Sequence, residues 1–345
     1  MSFDIGFILV QNGVANGALY ALLSLALVLV FSVTRIVFVP IGEFVSFGAL
    51  TLAAFQDGKV PQIAWFVPLL GACGGALRCW SEREGLSGRD FLRVALLYVV
   101  CPVMTLGLSV AFRSSAMPVW LAILLTVLLL SQLGVYIYDL VYRPLVEGSV
   151  LVLLIVSVVL HVLMVNVGLL LFGAEGSRSP ALLSAGLEIG SLRVDGQSIA
   201  IVAITAALIV LLYGFFGRTL LGKALRATAV NRLGSQLMGV SPAVCGRFAL
   251  VIATSIGALC GILISSTTTI YYDTGFLIGL KGFVSAIIGG MISYPLAALG
   301  GLIVGQIESF ASFQASALKE VIVFTMIIPV LLWRSFRTVT VEDDE

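Results

Sequence analysis

Apolar residues run through this chain in long blocks separated by short polar stretches. About 20 consecutive apolar residues cross a bilayer as a helix, so most blocks predict membrane spans. Ile8 to Val33 is the first, closed by Thr34 and Arg35, with Gln11, Asn12 and Asn16 near its start. Its Gly13 and Gly17 are spaced to form a small-residue face for close helix packing. Ile36 to Gln56 follows, its start interrupted by Pro40, Gly42 and Glu43. Pro61 to Leu77 carries Gly71 and Gly75 at packing distance, and a charged loop, RCWSEREGLSGRD, comes next. Val94 to Phe112, Pro118 to Tyr138, Ser149 to Gly173, Ile199 to Phe216 and Ala243 to Ser266 are further spans. A Gly- and Ser-rich polar loop, Ala174 to Gln197, divides two of them. Phe283 to Met291 is too short to cross alone, and Pro295 to Phe313 and Val321 to Trp333 complete the series. The pattern predicts an all-α polytopic membrane protein of about 10–11 spanning or partly spanning helices. It predicts one transmembrane domain over residues 1–345, and the acidic tail, 338–345, is expected to fray.

One polar island stands out from this pattern. GRTLLGKALRATAVNRLGSQLMGVSP, Gly217 to Pro242, holds Arg218, Lys223, Arg226 and Arg232 and no acid, and its apolar residues recur at helical spacing. It predicts one or two amphipathic helices on the cytoplasmic side, because basic loops stay inside. Alternation then places 13 Lys and Arg on that side and 6 on the other, with the N-terminus out and the C-terminus in. A basic helical loop is expected to be a docking element.

Composition agrees: 60% of residues are hydrophobic, 11% charged, and mean hydropathy is +1.13. A soluble domain carries about 25% charged residues. The net charge of +1 points to no nucleic acid. Cys73, Cys79, Cys101, Cys245 and Cys260 lack metal-ligand spacing and read as small packing residues. The first block has no basic stretch before it and is too long for a cleavable signal. Phosphate-loop, zinc-protease and serine-hydrolase motifs are absent, so no catalytic residue, metal or cofactor is expected and the chain itself is not expected to hydrolyse ATP.

Two places break the apolar pattern. In FVPIGEFVSFG, Glu43 falls early in an apolar helix, just after the backbone-disturbing Pro40 and Gly42. A carboxylate there either favours the helix dipole at the membrane interface or lines a pore or gate. In Thr267 to Gly290, Asp273 and Lys281 flank Gly275 and Gly279. That stretch is either an outer loop with solvated charges or a hairpin buried in protein or lining water. Phe44-Val45-Ser46 and Phe283-Val284-Ser285 echo each other, which suggests an inverted repeat with a site between broken helices. The candidate pathway residues are therefore Gly42, Glu43, Asp273, Lys281, Gly282 and Glu308. His161, the single histidine, reads as a packing or hydrogen-bonding group rather than a proton relay.

The second half resembles the permease subunits of ABC importers of the branched-chain amino acid type, the LivH/LivM family. GKALRATAVNRLGSQLMGVSP, Gly257-Ala-Leu-Cys-Gly261 and GFLIGLKGFVSAIIGGMISYPLAALGGLIVGQIES carry the likeness. In the first half NGVANGALYALLSLALVLVFSVTRIV and IGEFVSFGALTLAA do so, and the opening segment and short tail favour the LivH type. Two departures are plain. Of the family's Asn-Phe-Ala-His-Gly-Glu pattern only Gly42 and Glu43 remain, and Arg78 to Phe112 is long and atypical.

The resemblance implies an external solute-binding protein, a second LivM-like permease and two cytoplasmic ATPase subunits, in a bacterial inner membrane. It implies that Gly217 to Pro242 couples to the ATPases, with Arg226, Asn231, Arg232, Gly234 and Gly239 as the residues concerned and Gly239 as the helix-ending turn. Leucine-like amino acids, urea, short amides and small aromatic acids all fit such a path, and the binding protein can supply the selectivity. The alternative is a self-contained channel or facilitator, which has no reason for the basic helical loop. A membrane-embedded enzyme is a third class, and no catalytic cluster supports it.

Overall fold

The computed structural model describes residues 3–81, 92, 94–112, 117–146, 148–183, 186–189, 192–291 and 293–338. Most of the charged loop after Arg78, with Arg83 and Arg89, falls outside these residues, as do Arg93, Arg113 and the acidic tail beyond Thr338. The elements are α1 (Phe3–Thr34), α2 (Ile41–Gln56), α3 (Ile63–Ser81), α4 (Cys101–Ala111), α5 (Val119–Ile137) and α6 (Val150–Phe172). A π-turn, Leu96–Val100, leads into α4, and a second, Tyr138–Tyr142, extends α5. After a short antiparallel hairpin, β1 (Leu187–Ile189) and β2 (Leu192–Val194), come α7 (Gly196–Arg218), α8 (Leu220–Val230), α9 (Arg232–Leu237) and α10 (Pro242–Ile264). The last helices are α11 (Thr274–Ile288), α12 (Tyr294–Gln314), α13 (Lys319–Thr325) and α14 (Ile327–Thr338). Among the described residues six helices are long and apolar enough to cross a membrane, and four shorter apolar ones accompany them.

Helix α1 is apolar on all sides and is buried almost throughout, as a helix without a polar face must be. Its expected small-residue face meets α12 so closely that backbones touch. A Cβ on Gly17 would lie 2.9 Å from Leu302 Cα, and one on Gly305 would lie 2.3 Å from Gly17 N. The α1 end at Leu29 and Val33 packs on Leu225 of α8 and on Cys245 and Ala249 at the start of α10. Helices α1 and α10 therefore run antiparallel, and that end of the bundle carries α8 and α9. Helices α6 and α7 stand at the edge with most of their apolar surface exposed.

The sequence pattern placed three element boundaries differently. Residues 36–40 are not helical, and α2 begins only at Ile41. Arg35, at φ 62°, turns the chain out of α1. The first turn of α2 lies beside Gly257, where an added Cβ would sit 3.0 Å from Phe44 Cβ. Gly257 is fifteen residues into α10, about 22 Å from that helix's start, so α2 begins deep in the bundle. Phe283 to Ile288 is not a separate segment but the end of α11, which begins at Thr274, and Gly289 to Met291 follow it. The last span is divided at Met326 into α13 and α14.

Helices α2 and α11 thus each follow a full-length helix, after a break, and their first turns meet. The added Cβ of Gly275 would lie 2.0 Å from Gly42 O, and Gly275 N–H donates to Ser46 Oγ at 2.7 Å. Together α1–α2 and α10–α11 form an inverted pair of broken hairpins. The two first turns meet at Gly42 and Gly275, the second residue of each helix.

Candidate functional site

The six pathway candidates do not form one site. Gly42 and Glu43 lie at the crossing of α2 and α11. Glu43 is only 1% exposed, which removes the interface position as its explanation. Its Oε1 accepts a hydrogen bond from His161 Nδ1 of α6 at 2.6 Å. When Glu43 is ionised it can only accept, and Nδ1 is then the donor. The imidazole stacks on Phe276 of α11, centroids 4.1 Å apart. Glu43 Oε2 is buried with no partner among the described residues. His161 is thus the hydrogen-bonding group the sequence suggested, but its pairing with Glu43 was missed: it is 118 residues from Glu43, and no local spacing signals the pair.

Lys281 and Glu308 make the second group, at the bundle end remote from α8 and α9. Both are buried, and Lys281 Nζ donates to Glu308 Oε1 at 2.6 Å and to Glu320 Oε1 at 3.1 Å. Tyr20 O–H donates to the other Glu308 oxygen at 2.5 Å. The charge of Lys281 is therefore not solvated in a loop but ties α1, α11, α12 and α13 together. A cavity of about 720 Å3 opens beside this cluster, lined also by Asn12, Asn16, Thr268 and Ser312. Gly282 faces Leu23 rather than the cavity, and Asp273 is exposed in the turn before α11. Sequence reasoning missed Glu320 and Tyr20: the first lies in a segment read as connector, and the second is one of nine tyrosines.

The third feature is the basic pair α8 and α9. Thr219 caps α8 by accepting from Gly222 N–H, and Asn231 caps α9 by accepting from Gly234 N–H at 2.8 Å. Gly239, at φ 80°, ends α9. Val240 N–H donates to Ser235 O and Gly239 N–H to Gln236 O, which is a Schellman turn. Lys223, Arg226, Asn231, Gly234 and Met238 line a concavity of about 610 Å3 between the two helices. Leu220, Val230, Leu233, Leu237 and Met238 are each at least 75% exposed around it. Arg226 is exposed and Arg232 half-buried.

A set of antiparallel apolar helices, with broken spans meeting in its interior and capped basic helices at one end, defines a multi-pass membrane permease. The chain belongs to the family described as "Branched-chain amino acid transport system / permease component", which matches residues 91–331. It is similar to the high-affinity branched-chain amino acid transport system permease protein BraD of Pseudomonas aeruginosa, 29% identical over 69% of this chain and 80% of that one. The permease LivH of Salmonella typhimurium is 25% identical over 93% of this chain and 91% of its own, and that of Escherichia coli 24% over the same shares. A solved structure, PsaBC from Streptococcus pneumoniae in complex with Fab, covers 93% of this chain and 89% of its own at 11% identity and a TM-score of 0.35, too loose a likeness to carry an argument.

Proposed function

We propose that this chain is the LivH-like permease of an ABC importer that moves branched-chain amino acids or a related small amphipathic solute into the cell. Two cytoplasmic ATPase subunits would drive it, a second, LivM-like permease would complete the path, and an external binding protein would deliver the solute. In this reading it sits in a bacterial inner membrane with α8 and α9 in the cytoplasm, the N-terminus outside and the C-terminus inside.

The exposed face of α8 and α9 carries the reading. Its leucines, Val230 and Met238 stand free beside Arg226 and Lys223, in a chain otherwise built to shed water. An apolar patch rimmed by charge marks a protein contact. Arg226 and Arg232 would make charged contacts with an ATPase, while Asn231, Gly234 and Gly239 hold the two helices in shape. Gly42, Glu43, Asp273, Lys281, Gly282 and Glu308 would border the solute's path.

The test is labelled leucine uptake into liposomes holding this chain with its co-purified subunits. Uptake is expected to require both ATP and the binding protein. Uptake that needs neither would establish a facilitator and remove the coupling role of α8 and α9.

A further inference from the structure

A crevice between α3 and α5 has a charged end and an apolar end. Phe66, Leu70, Gly74 and Leu77 recur at helical spacing and give α3 one continuous face. Leu133, Ile137, Leu140 and Pro144 do the same along α5 and the turns that extend it. These two faces line two hollows that share Leu140. The deeper hollow, of about 110 Å3, has only apolar side chains on its walls and is closed by Leu160, Leu163 and Met164 of α6. The other, of about 490 Å3, lies at the helix ends, with Arg78 of α3 and Arg143 on its wall. Both arginines are half-buried. Asp139 is the one acid on that wall among the described residues, and it is already engaged. Arg247 donates to its Oδ1 through Nε and Nη2, at 3.0 and 2.7 Å, and Tyr98 O–H donates to its other oxygen. A guanidinium has five N–H donors, so an arginine that meets one acid keeps donors for a second anion.

The charged hollow also stands at a definite level of the bundle. Arg247 follows by two positions Cys245, the residue of α10 that meets Thr228 of α8, so the hollow lies at the α8 and α9 end. Nearby, α3 and α4 leave Leu69, Leu77, Val103 and Met104 more than half exposed, an apolar surface that lipid chains cover in a membrane.

We propose that this crevice binds one anionic phospholipid of the leaflet on the α8 and α9 side. Its phosphate takes donors from Arg78 and Arg143, and the start of one acyl chain lies past Leu140 in the apolar hollow. Basic pockets between membrane helices hold anionic headgroups in this way. The charged end suits a phosphate from any source, but a free phosphate makes no use of the apolar end that continues the same two helix faces. A choline headgroup brings its own cation toward a wall that already holds two, so the anionic lipid is favoured over the zwitterionic one. The assignment depends neither on the solute nor on the ATPases.

The experiment is native mass spectrometry of the full chain in detergent, titrated with phosphatidylglycerol or phosphatidylcholine of matched acyl chains. A phosphatidylglycerol adduct is expected at a concentration about tenfold lower than one of phosphatidylcholine. Arg78→Gln with Arg143→Gln is expected to remove that preference. Arg218→Gln with Arg226→Gln, which takes two exposed cations from the same end, is expected to keep it. Leu163→Trp fills the apolar hollow, leaves the arginines untouched and is expected to weaken both lipids severalfold. Inorganic phosphate at the lipid's own concentration is expected to displace neither. Equal binding of the two lipids by the parent chain, or a preference that survives the loss of both arginines, would overturn the site. Unchanged binding in Leu163→Trp would overturn the place given to the acyl chain. Displacement by inorganic phosphate would make this a phosphate site and overturn the lipid assignment.

Discussion

Lys281 is the residue whose removal tests the buried network most sharply. Its side chain is 6% exposed and that of Glu308 is 10% exposed, with 2.6 Å between their charged atoms. At an effective dielectric constant of about 20 the attraction is on the order of 6 kcal/mol, most of it offset by the cost of dehydrating both ions. Replacing the pair with apolar groups is therefore expected to be nearly neutral, whereas removing one partner is not. Lys281→Met leaves Glu308 and Glu320 facing each other, with only Tyr20 donating to the first, and is expected to cost about 3–5 kcal/mol. Adding Glu308→Gln removes the orphaned charge and is expected to recover about 1–3 kcal/mol. Heating the purified chain with a thiol-reactive dye reads this out, because Cys245 and Cys260 are 4% and 1% exposed and react only on unfolding. The expected order of melting is parent, double variant, then Lys281→Met. A Lys281→Met chain that melts with the parent, or a double variant below the single one, would refute the reasoning.

Gly275→Ala places a methyl group 2.0 Å from the backbone oxygen of Gly42 and 2.6 Å from Ser46 Oγ, and is expected to destabilise by about 3 kcal/mol or more. Gly107→Ala, with nothing within 4 Å, should stabilise α4 by up to about 1 kcal/mol, and melting of the two separates them. His161→Leu strips Glu43 of its donor and is expected to cost about 2 kcal/mol or more, with His161→Gln restoring part of the loss in the same melting assay. Arg226→Glu with Arg232→Glu should release the ATPases on affinity purification while leaving the melting temperature of the isolated chain nearly unchanged, within about 0.5 kcal/mol.

Much of this fold was legible because a bilayer leaves few choices. Ser149 to Gly173 and Ala243 to Ser266 fall within about two residues of α6 and α10, and Ile8 to Val33 differs from α1 chiefly by the earlier start of that helix at Phe3. The Gly217 island was readable for the same reason: its apolar residues keep helical spacing and its charges share one sign. The broken spans were less legible. Gly275, Gly279 and Gly282 resemble loop glycines when taken by composition, but the first two lie against Gly42 and the third against Leu23, where no larger residue fits. The charge pairs were the least legible. Glu43 with His161 and Glu308 with Tyr20 are joined across 118 and 288 residues, and only the folded arrangement brings them together. The sequence marked Glu43, Lys281 and Glu308 as costly charges in apolar surroundings without indicating what would neutralise them.

The placement of these groups also limits how a signal could cross the molecule. Three long helices have one end at α8 and α9 and the other at the cavity. Helix α7 runs from Ser198 and Ile201 at the cavity to Arg218, next to α8. Helix α10 starts at Cys245, against Thr228 of α8, and ends at Ile264 on the cavity wall. Helix α1 carries Asn12, Asn16 and Tyr20 at one end and Leu29 and Val33, packed on Leu225, at the other. A helix transmits a push along its axis because its hydrogen bonds all run that way, so in the importer proposed above a motion of α8 would reach the cavity through three rods at once. Helices α2 and α11 lie between the two ends, α2 buried along nearly its whole length; Gly42 on Gly275 joins the two helices, and Lys281 on Glu308 joins α11 to α12. Tight backbone contact and a buried ion pair both resist partial displacement: each is either made or broken. A coupling element with two discrete arrangements needs joints of that kind. In the proposed importer Lys281 would serve both the joint and the cavity, since its cation closes the contact between α11 and α12 and also borders the cavity.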